Sequence, residues 1–137
     1  MQIASVMTRD LITVQQSERL GAVIQILHDN DIRHLPVLDG DRLVGLISDR
    51  DLRNYRPPAE FVEENVVASV QMLDTPAHRV MNPNVITVRP TDTLDRAIDL
   101  FVDLRIGAVC VVDDHALVGI VSYIDVLRAL RHARQAT

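Results

Sequence analysis

Apolar positions fall into two alternating patterns along this chain, and the whole succession of patterns occurs twice. Short stretches rich in β-branched residues, 11–14 and 85–88, predict strands, and each ends near a polar cluster carrying Ser17 or Thr91 as a candidate helix N-cap. Helices are expected next. Leu20, Val23, Ile24 and Leu27 in the first copy, and Leu94, Ala97, Ile98, Phe101 and Leu104 in the second, recur at three-and-four spacing and give one apolar face each. Two apolar runs then flank a tight polar turn: 34–38 and 43–47 about Asp39-Gly40-Asp41, and 108–112 and 117–121 about Asp113-Asp114-His115. Each pair predicts a β-hairpin. Turn chemistry is clear where Gly40 can take a positive φ and weaker in the second copy. Helical character returns over 49–55 and 123–134, the latter with Val126, Leu127 and Leu130 on one face and Arg128, Arg131 and Arg134 toward the favourable end of the helix dipole.

The repetition is in register. A shift of about 74 positions lays Val6-Met7 on Val80-Met81, Ile12-Thr13-Val14 on Ile86-Thr87-Val88, Leu43-Val44-Gly45 on Leu117-Val118-Gly119, Ser48 on Ser122 and Asp51 on Asp125. The predicted organisation is a first repeat over 1–57, a linker over 58–78 that can hold a helix, and a second repeat over 79–137. Arg56-Pro57-Pro58 stops the first unit, because proline removes donors and biases its predecessor away from helix. A repeat of about 50 residues buries too little surface to be more than marginal alone. The expected fold is therefore α/β (α+β), two β-α-β-β-α units packed through their sheets into one body.

Composition narrows the function. With 137 residues, 47% hydrophobic and 24% charged, the chain has material for one ordinary core. No apolar run approaches the roughly 18 residues of a membrane span, and the N-terminus lacks the layout of a signal peptide, so a soluble, cytoplasmic protein is expected. The single cysteine, Cys110, rules out an internal disulfide and a thiolate zinc cluster within one chain, and the five histidines lie at no ligand-like spacing. A formal charge of −5 argues against nucleic-acid binding. All fourteen basic residues are arginine, which removes lysine as a Schiff-base nucleophile.

The most specific motif is Gly45-Leu46-Ile47-Ser48-Asp49-Arg50-Asp51, repeated as Gly119-Ile120-Val121-Ser122-Tyr123-Ile124-Asp125. Two explanations fit it. Ser-x-x-Asp resembles a capping box, in which hydroxyl and carboxylate satisfy orphan donors of a first helical turn. The same geometry suits a nucleotide: a helix N-terminus and a serine for phosphate, glycine for close approach of a ligand to the strand, and a carboxylate able to accept from both ribose hydroxyls.

With these motifs in view, the whole chain resembles a CBS-domain pair (Bateman module), and it is most similar to the small bacterial pairs associated with acetoin utilisation. The resemblance rests on the tandem Gly-x-x-Ser-x-x-Asp motifs, on Ile32-Arg33-His34-Leu35-Pro36-Val37, and on Val6-Met7-Thr8 and Val80-Met81-Asn82 leading into the first strands. It implies a regulatory binding module, not an enzyme, that takes AMP, ADP or ATP, or less readily S-adenosylmethionine or an NAD-type molecule, in crevices between the paired repeats. It also implies a homodimer and a protein partner, with no required cofactor or metal. By position, Ser48 and Ser122, with Arg33, His34 and Arg50, would meet phosphate, and Asp51 and Asp125 would hold ribose. Ile12, Thr13, Val14, Leu35 and Pro36, and Ile86, Thr87, Val88, Val109 and Cys110, would form the two base pockets. Arg33, His34 and Arg50 become Gly107, Ala108 and Ile124 in the second copy, so the first is expected to prefer ADP or ATP and the second a less charged ligand, or none. The alternative is a structural or protein-interaction module whose motifs serve as caps. A hydrolase built on Asp51 and His34 is a third and weaker possibility.

Overall fold

The paired apolar runs form two antiparallel hairpins, and everything else is arranged on them. A computed structural model describes residues 1–53 and 66–136. In the first hairpin β2 (His34–Asp39) pairs with β3 (Arg42–Ser48), while β1 (Val14–Gln15) lies parallel to β2 with Val14 opposite Val37. In the second, β5 (Ala108–Asp113) pairs with β6 (Ala116–Ser122), and β4 (Thr87–Val88) lies parallel to β5. Each sheet thus has three strands, with the second strand of its copy in the centre. The register slips between Val37 and Leu38 and again between Val111 and Val112, equivalent points of the two copies.

Helix α1 (Leu20–Asp29) buries Leu20, Val23 and Leu27 against Leu35, Val37 and Ile47 of the first sheet. Its counterpart α3 (Leu94–Leu104) buries Leu94 and Ala97 with Val109, Val111 and Val121 of the second. Alternate strand residues face these cores, as a period of two requires. Helix α2 (Val66–Leu73) falls in the expected linker, and α4 (Tyr123–Ala136) closes the second copy with Val126 buried.

The chain forms two compact units cut at other places than the repeats: Ile12–Asn84 is one, and Met1–Leu11 with Val85–Thr137 is the other. The cause is an exchange of lead-in segments. Thr8 and Ile120 exchange backbone hydrogen bonds of 2.8 and 3.1 Å, and Asn82 and Leu46 do so at 2.9 and 3.1 Å. Each Val-Met lead-in therefore pairs with the last strand of the opposite copy's hairpin, and Met7 joins the core of the unit that holds Val109 and Val121.

Four local expectations need correction. The strands predicted over 11–14 and 85–88 are only two residues long; Ile12 and Ile86 are partly buried against the cores, and Ile86 adds one bond beyond its strand, its carbonyl accepting from the Cys110 N–H at 3.2 Å. Ser17 and Thr91 are not the N-caps. The helices begin at the first core leucine, which leaves Arg19 at the N-cap of α1 without a side-chain bond and Thr93 at that of α3, where its Oγ1 accepts from the Arg96 N–H at 3.3 Å. Over 49–53 the helical character appears as tight turns closed by bonds such as Asp51 N–H to Ser48 O at 3.0 Å; the rest of that segment, with Arg56-Pro57-Pro58, lies outside the described residues. The second hairpin turn is sharply defined despite lacking glycine, with Asp114 at φ 48° and His115 at φ 69°.

Candidate functional site

In the first copy the hairpin register sets His34 opposite Ser48, and the Asp49 N–H donates to Arg33 O at 2.8 Å. Arg33, His34, Ser48, Arg50 and Asp51 are thereby gathered at one end of the sheet. The Ser48 N–H donates to Asp51 Oδ2 at 2.9 Å, and the Asp51 N–H donates to Ser48 Oγ at 3.2 Å. These are the two reciprocal bonds of a capping box. Among the described residues the Ser48 hydroxyl hydrogen and Asp51 Oδ1 have no partner. His34 is half-buried, and burial holds its pKa below the ordinary 6.5, with Arg33 acting in the same direction and Asp51 and Asp49 opposing. Arg33 and Arg50 are exposed.

The second copy repeats the box with more partners. Ala108 stands opposite Ser122, and the Tyr123 N–H donates to Gly107 O at 3.2 Å. Asp125 Oδ2 accepts from the Ser122 N–H at 2.8 Å and from its hydroxyl at 3.2 Å, while the Asp125 N–H donates to Ser122 Oγ at 3.4 Å. Asp125 Oδ1 accepts from the Thr8 hydroxyl at 3.3 Å and faces Arg128 Nη1 at 3.8 Å. Sequence reasoning named neither Thr8 nor Arg128 as a site residue. The spacing of three between Asp125 and Arg128 on a helix was a usable signal, whereas no local pattern ties Thr8 to Asp125.

The residues assigned to the base pockets have mixed surroundings. Val14 and Leu35 lie in the core of one unit, and Val88 and Val109 in that of the other, so their side chains are committed to packing. Pro36 and Cys110 are fully buried at equivalent positions. Ile12 and Ile86 are partly buried against the cores, Thr13 is half-buried and Thr87 exposed. Burial pushes the Cys110 thiol up to about 12, which leaves it un-ionised and inert.

The motif glycines serve a purpose other than ligand approach. A Cβ at Gly119 would come within 2.6 Å of Met7 Sδ, and one at Gly45 within 2.7 Å of Met81 Cγ. Methionine fills the space that glycine leaves. Among the described residues no group of three or more His, Cys, Asp or Glu side chains could hold a metal ion, and no helix is long and apolar enough to cross a membrane.

The family model of the CBS domain matches residues 3–57 and 77–132. An uncharacterized Methanocaldococcus jannaschii protein, MJ1225, is 27% identical over 132 residues, covering 89% of this chain and 46% of that protein. The chain therefore spans about half the length of this relative. A CBS domain-containing protein of Dictyostelium discoideum is 30% identical over 93% of this chain and 90% of its own. Among solved structures, a Vibrio cholerae protein provisionally assigned as the acetoin utilization protein AcuB superposes with a TM-score of 0.80 at 26% identity, over 98% of this chain and 93% of that one. CBSX2 in complex with AMP matches at 0.79 and 27%, over 97% and 98%. The CBS pair of MJ0100 in complex with methylthioadenosine and S-adenosyl-L-methionine matches at 0.78 and 25%, also over 97% and 98%.

Proposed function

Because the chain belongs to the CBS-domain family, with two copies in tandem, we propose that it is a regulatory module, not an enzyme, that binds an adenosine-containing ligand, AMP, ADP or ATP, and signals occupancy to a protein partner. The observation that carries this is the first strand–turn junction, where a serine hydroxyl and one oxygen of Asp51 are uncommitted among the described residues and His34, Arg33 and Arg50 stand close by. Ser48 would donate to phosphate, the arginines would add charge-assisted bonds, and Asp51 would accept from ribose hydroxyls. The complexes of similar CBS pairs with AMP and with S-adenosylmethionine support an adenosine ligand. Occupancy can act on a partner only if the ligand has different affinities for two arrangements of the protein. A cytoplasmic homodimer belongs to the same proposal, and exposed Leu127 and Leu130 on α4 favour self-association.

A second reading has its own observation. The reciprocal bonds of both boxes are what a cap needs without any ligand. Thermal shift with AMP, ADP, ATP, S-adenosylmethionine and NADH, followed by calorimetry, separates the two. A ligand at a hundredfold its Kd should add about 2.7 kcal/mol to stability, and Asp51→Ala should abolish the shift. No shift with any compound at millimolar concentration would favour the interaction module.

A further inference from the structure

The two hairpin turns are closed differently. In the first copy the Gln15 amide bridges strand and turn: its Nε2 donates to Gly40 O at 3.0 Å, and its Oε1 accepts from the Gly40 N–H at 2.8 Å. The repeat puts Arg89 in the place of Gln15 and Asp114 in that of Gly40. A guanidinium has no acceptor to offer, and the bridge is lost. Among the described residues neither the Arg89 side chain nor the Asp114 N–H has a hydrogen-bond partner. A cavity of about 500 Å³ opens there, bordered by Arg89, Asp92, Arg96, Val112, Asp113 and Asp114, within the range of small-molecule sites. It lies at the far end of the hairpin from Ser122, since Asp113 pairs with Ala116 and Ala108 with Ser122. Five strand steps between those ends amount to about 17 Å.

The cavity carries both signs of charge. Arg96 Nε stands 3.6 Å from Asp92 Oδ2, which also accepts from the Arg89 N–H at 2.8 Å, so that pair is matched within the wall. What remains is one guanidinium beside the strand and two carboxylates on the turn, all exposed and without a partner among the described residues. An anion alone meets the two carboxylates, and a cation alone meets the guanidinium. A molecule with one charge of each sign suits both.

We propose that this cavity binds a small dipolar ion, a free α-amino acid, with its carboxylate on Arg89 and the Asp114 N–H and its ammonium on the carboxylates of Asp113 and Asp114. The ligand carboxylate takes the acceptor place that Gln15 Oε1 fills in the first copy. Only the second copy therefore carries the site, and it rests on the cavity and not on the nucleotide-binding reading.

The test is an amide NMR titration of the full chain with each of the twenty proteinogenic L-amino acids at millimolar concentration, and with acetate and methylammonium as ions of single charge. At least one amino acid should move the Asp114 and His115 amide signals saturably and bind more tightly than either ion. Its affinity should fall about tenfold or more, the loss of one charge-assisted contact, in Arg89→Gln and separately in Asp113→Asn/Asp114→Asn. The substituted positions are exposed, and asparagine tolerates the positive φ of Asp114, so the two variants keep the fold and their spectra report it. The proposal is overturned if no amino acid moves those signals, if acetate or methylammonium binds as tightly, or if affinity is unchanged in either folded variant.

Discussion

Asp51 and Asp125 occupy the same place in the repeat, yet one carboxylate accepts a single hydrogen bond from the described residues and the other accepts three. A carboxylate offers about four acceptor sites. Asp51 thus keeps the capacity to grip a pair of vicinal hydroxyls, while Asp125 is largely spent on Ser122 and Thr8. The copies share a local cap and diverge in what surrounds it: His34, Arg33 and Arg50 beside the first, Thr8 and the cations of α4 beside the second. Duplicated motifs preserve local geometry. Selectivity comes from neighbours outside the motif.

The sharpest test of that division lies where the copies hold each other's lead-ins. Met7 is 9% exposed, its sulfur seated on Gly119, whereas Met81 is partly buried on Gly45. Met7→Ala should cost about 3 kcal/mol in urea denaturation and Met81→Ala less, since large-to-small changes scale with the cavity left behind. Gly119→Ala alone should also destabilise, because the new methyl meets Met7 and lies 3.2 Å from Thr8 O. In the Met7→Ala background much of that cost should vanish. Independent, additive effects would separate glycine from methionine and remove this explanation of the motif.

Next in size is the pair of carboxylates. Asp125→Ala removes three accepted bonds, from the Ser122 N–H and from the Ser122 and Thr8 hydroxyls, and should cost about 2 kcal/mol, against about 1 kcal/mol for Asp51→Ala, which removes one. Equal losses in chemical denaturation would mean that the Thr8 and Ser122 hydroxyl bonds contribute nothing. The proposed function expects the opposite ranking for ligand, with Asp51→Ala the more damaging.

The elements that were legible in the sequence are those whose signal is local. Both hairpins and the amphipathic helices followed from periodicity within a dozen residues, and Ser48–Asp51 and Ser122–Asp125 from a spacing of three. The exchange of lead-ins was hidden for a definite reason: Val6-Met7 and Val80-Met81 are the same dipeptide, and Gly45 and Gly119 offer the same seat, so nothing local distinguishes pairing within a copy from pairing across copies. Thr8 reaches Asp125 across 117 positions of sequence through that exchange. Arg128 was missed as a partner of Asp125 because it was read for its effect on the helix dipole, not for the face it shares with that carboxylate.

The hairpin turns differ with opposite signs. In the first, Gly40 sits at φ 62°, and nothing lies within 4 Å of a Cβ added there. The cost of Gly40→Ala is therefore conformational, about 1 kcal/mol. In the second, Asp114 and His115 hold positive φ with side chains that carry the same penalty. His115→Gly gives the Asp-Gly pair that such turns favour and should stabilise by about 0.5 kcal/mol, after the entropy of the added glycine is subtracted. Destabilisation by His115→Gly would mean that the imidazole makes a compensating contact.

The smallest expected effect is one of pH, and it belongs to one copy only, because Ala108 replaces His34 in the other. His34 binds its proton less readily when folded than when unfolded, chiefly through burial. Below its ordinary 6.5 the unfolded chain therefore takes up more proton than the native protein, and stability falls as pH drops. The loss begins as pH passes down through 6.5 and levels off below the lowered folded value. Stability measured at intervals from pH 8 to 5 should show a smaller decline for His34→Gln than for wild type. A bound phosphate beside His34 favours its charged form and should shrink the difference, so repeating the series with saturating nucleotide asks whether phosphate comes to the first copy. An identical decline in wild type and variant without ligand would remove His34 from the account. A difference that nucleotide leaves unchanged would move the phosphate away from the first copy.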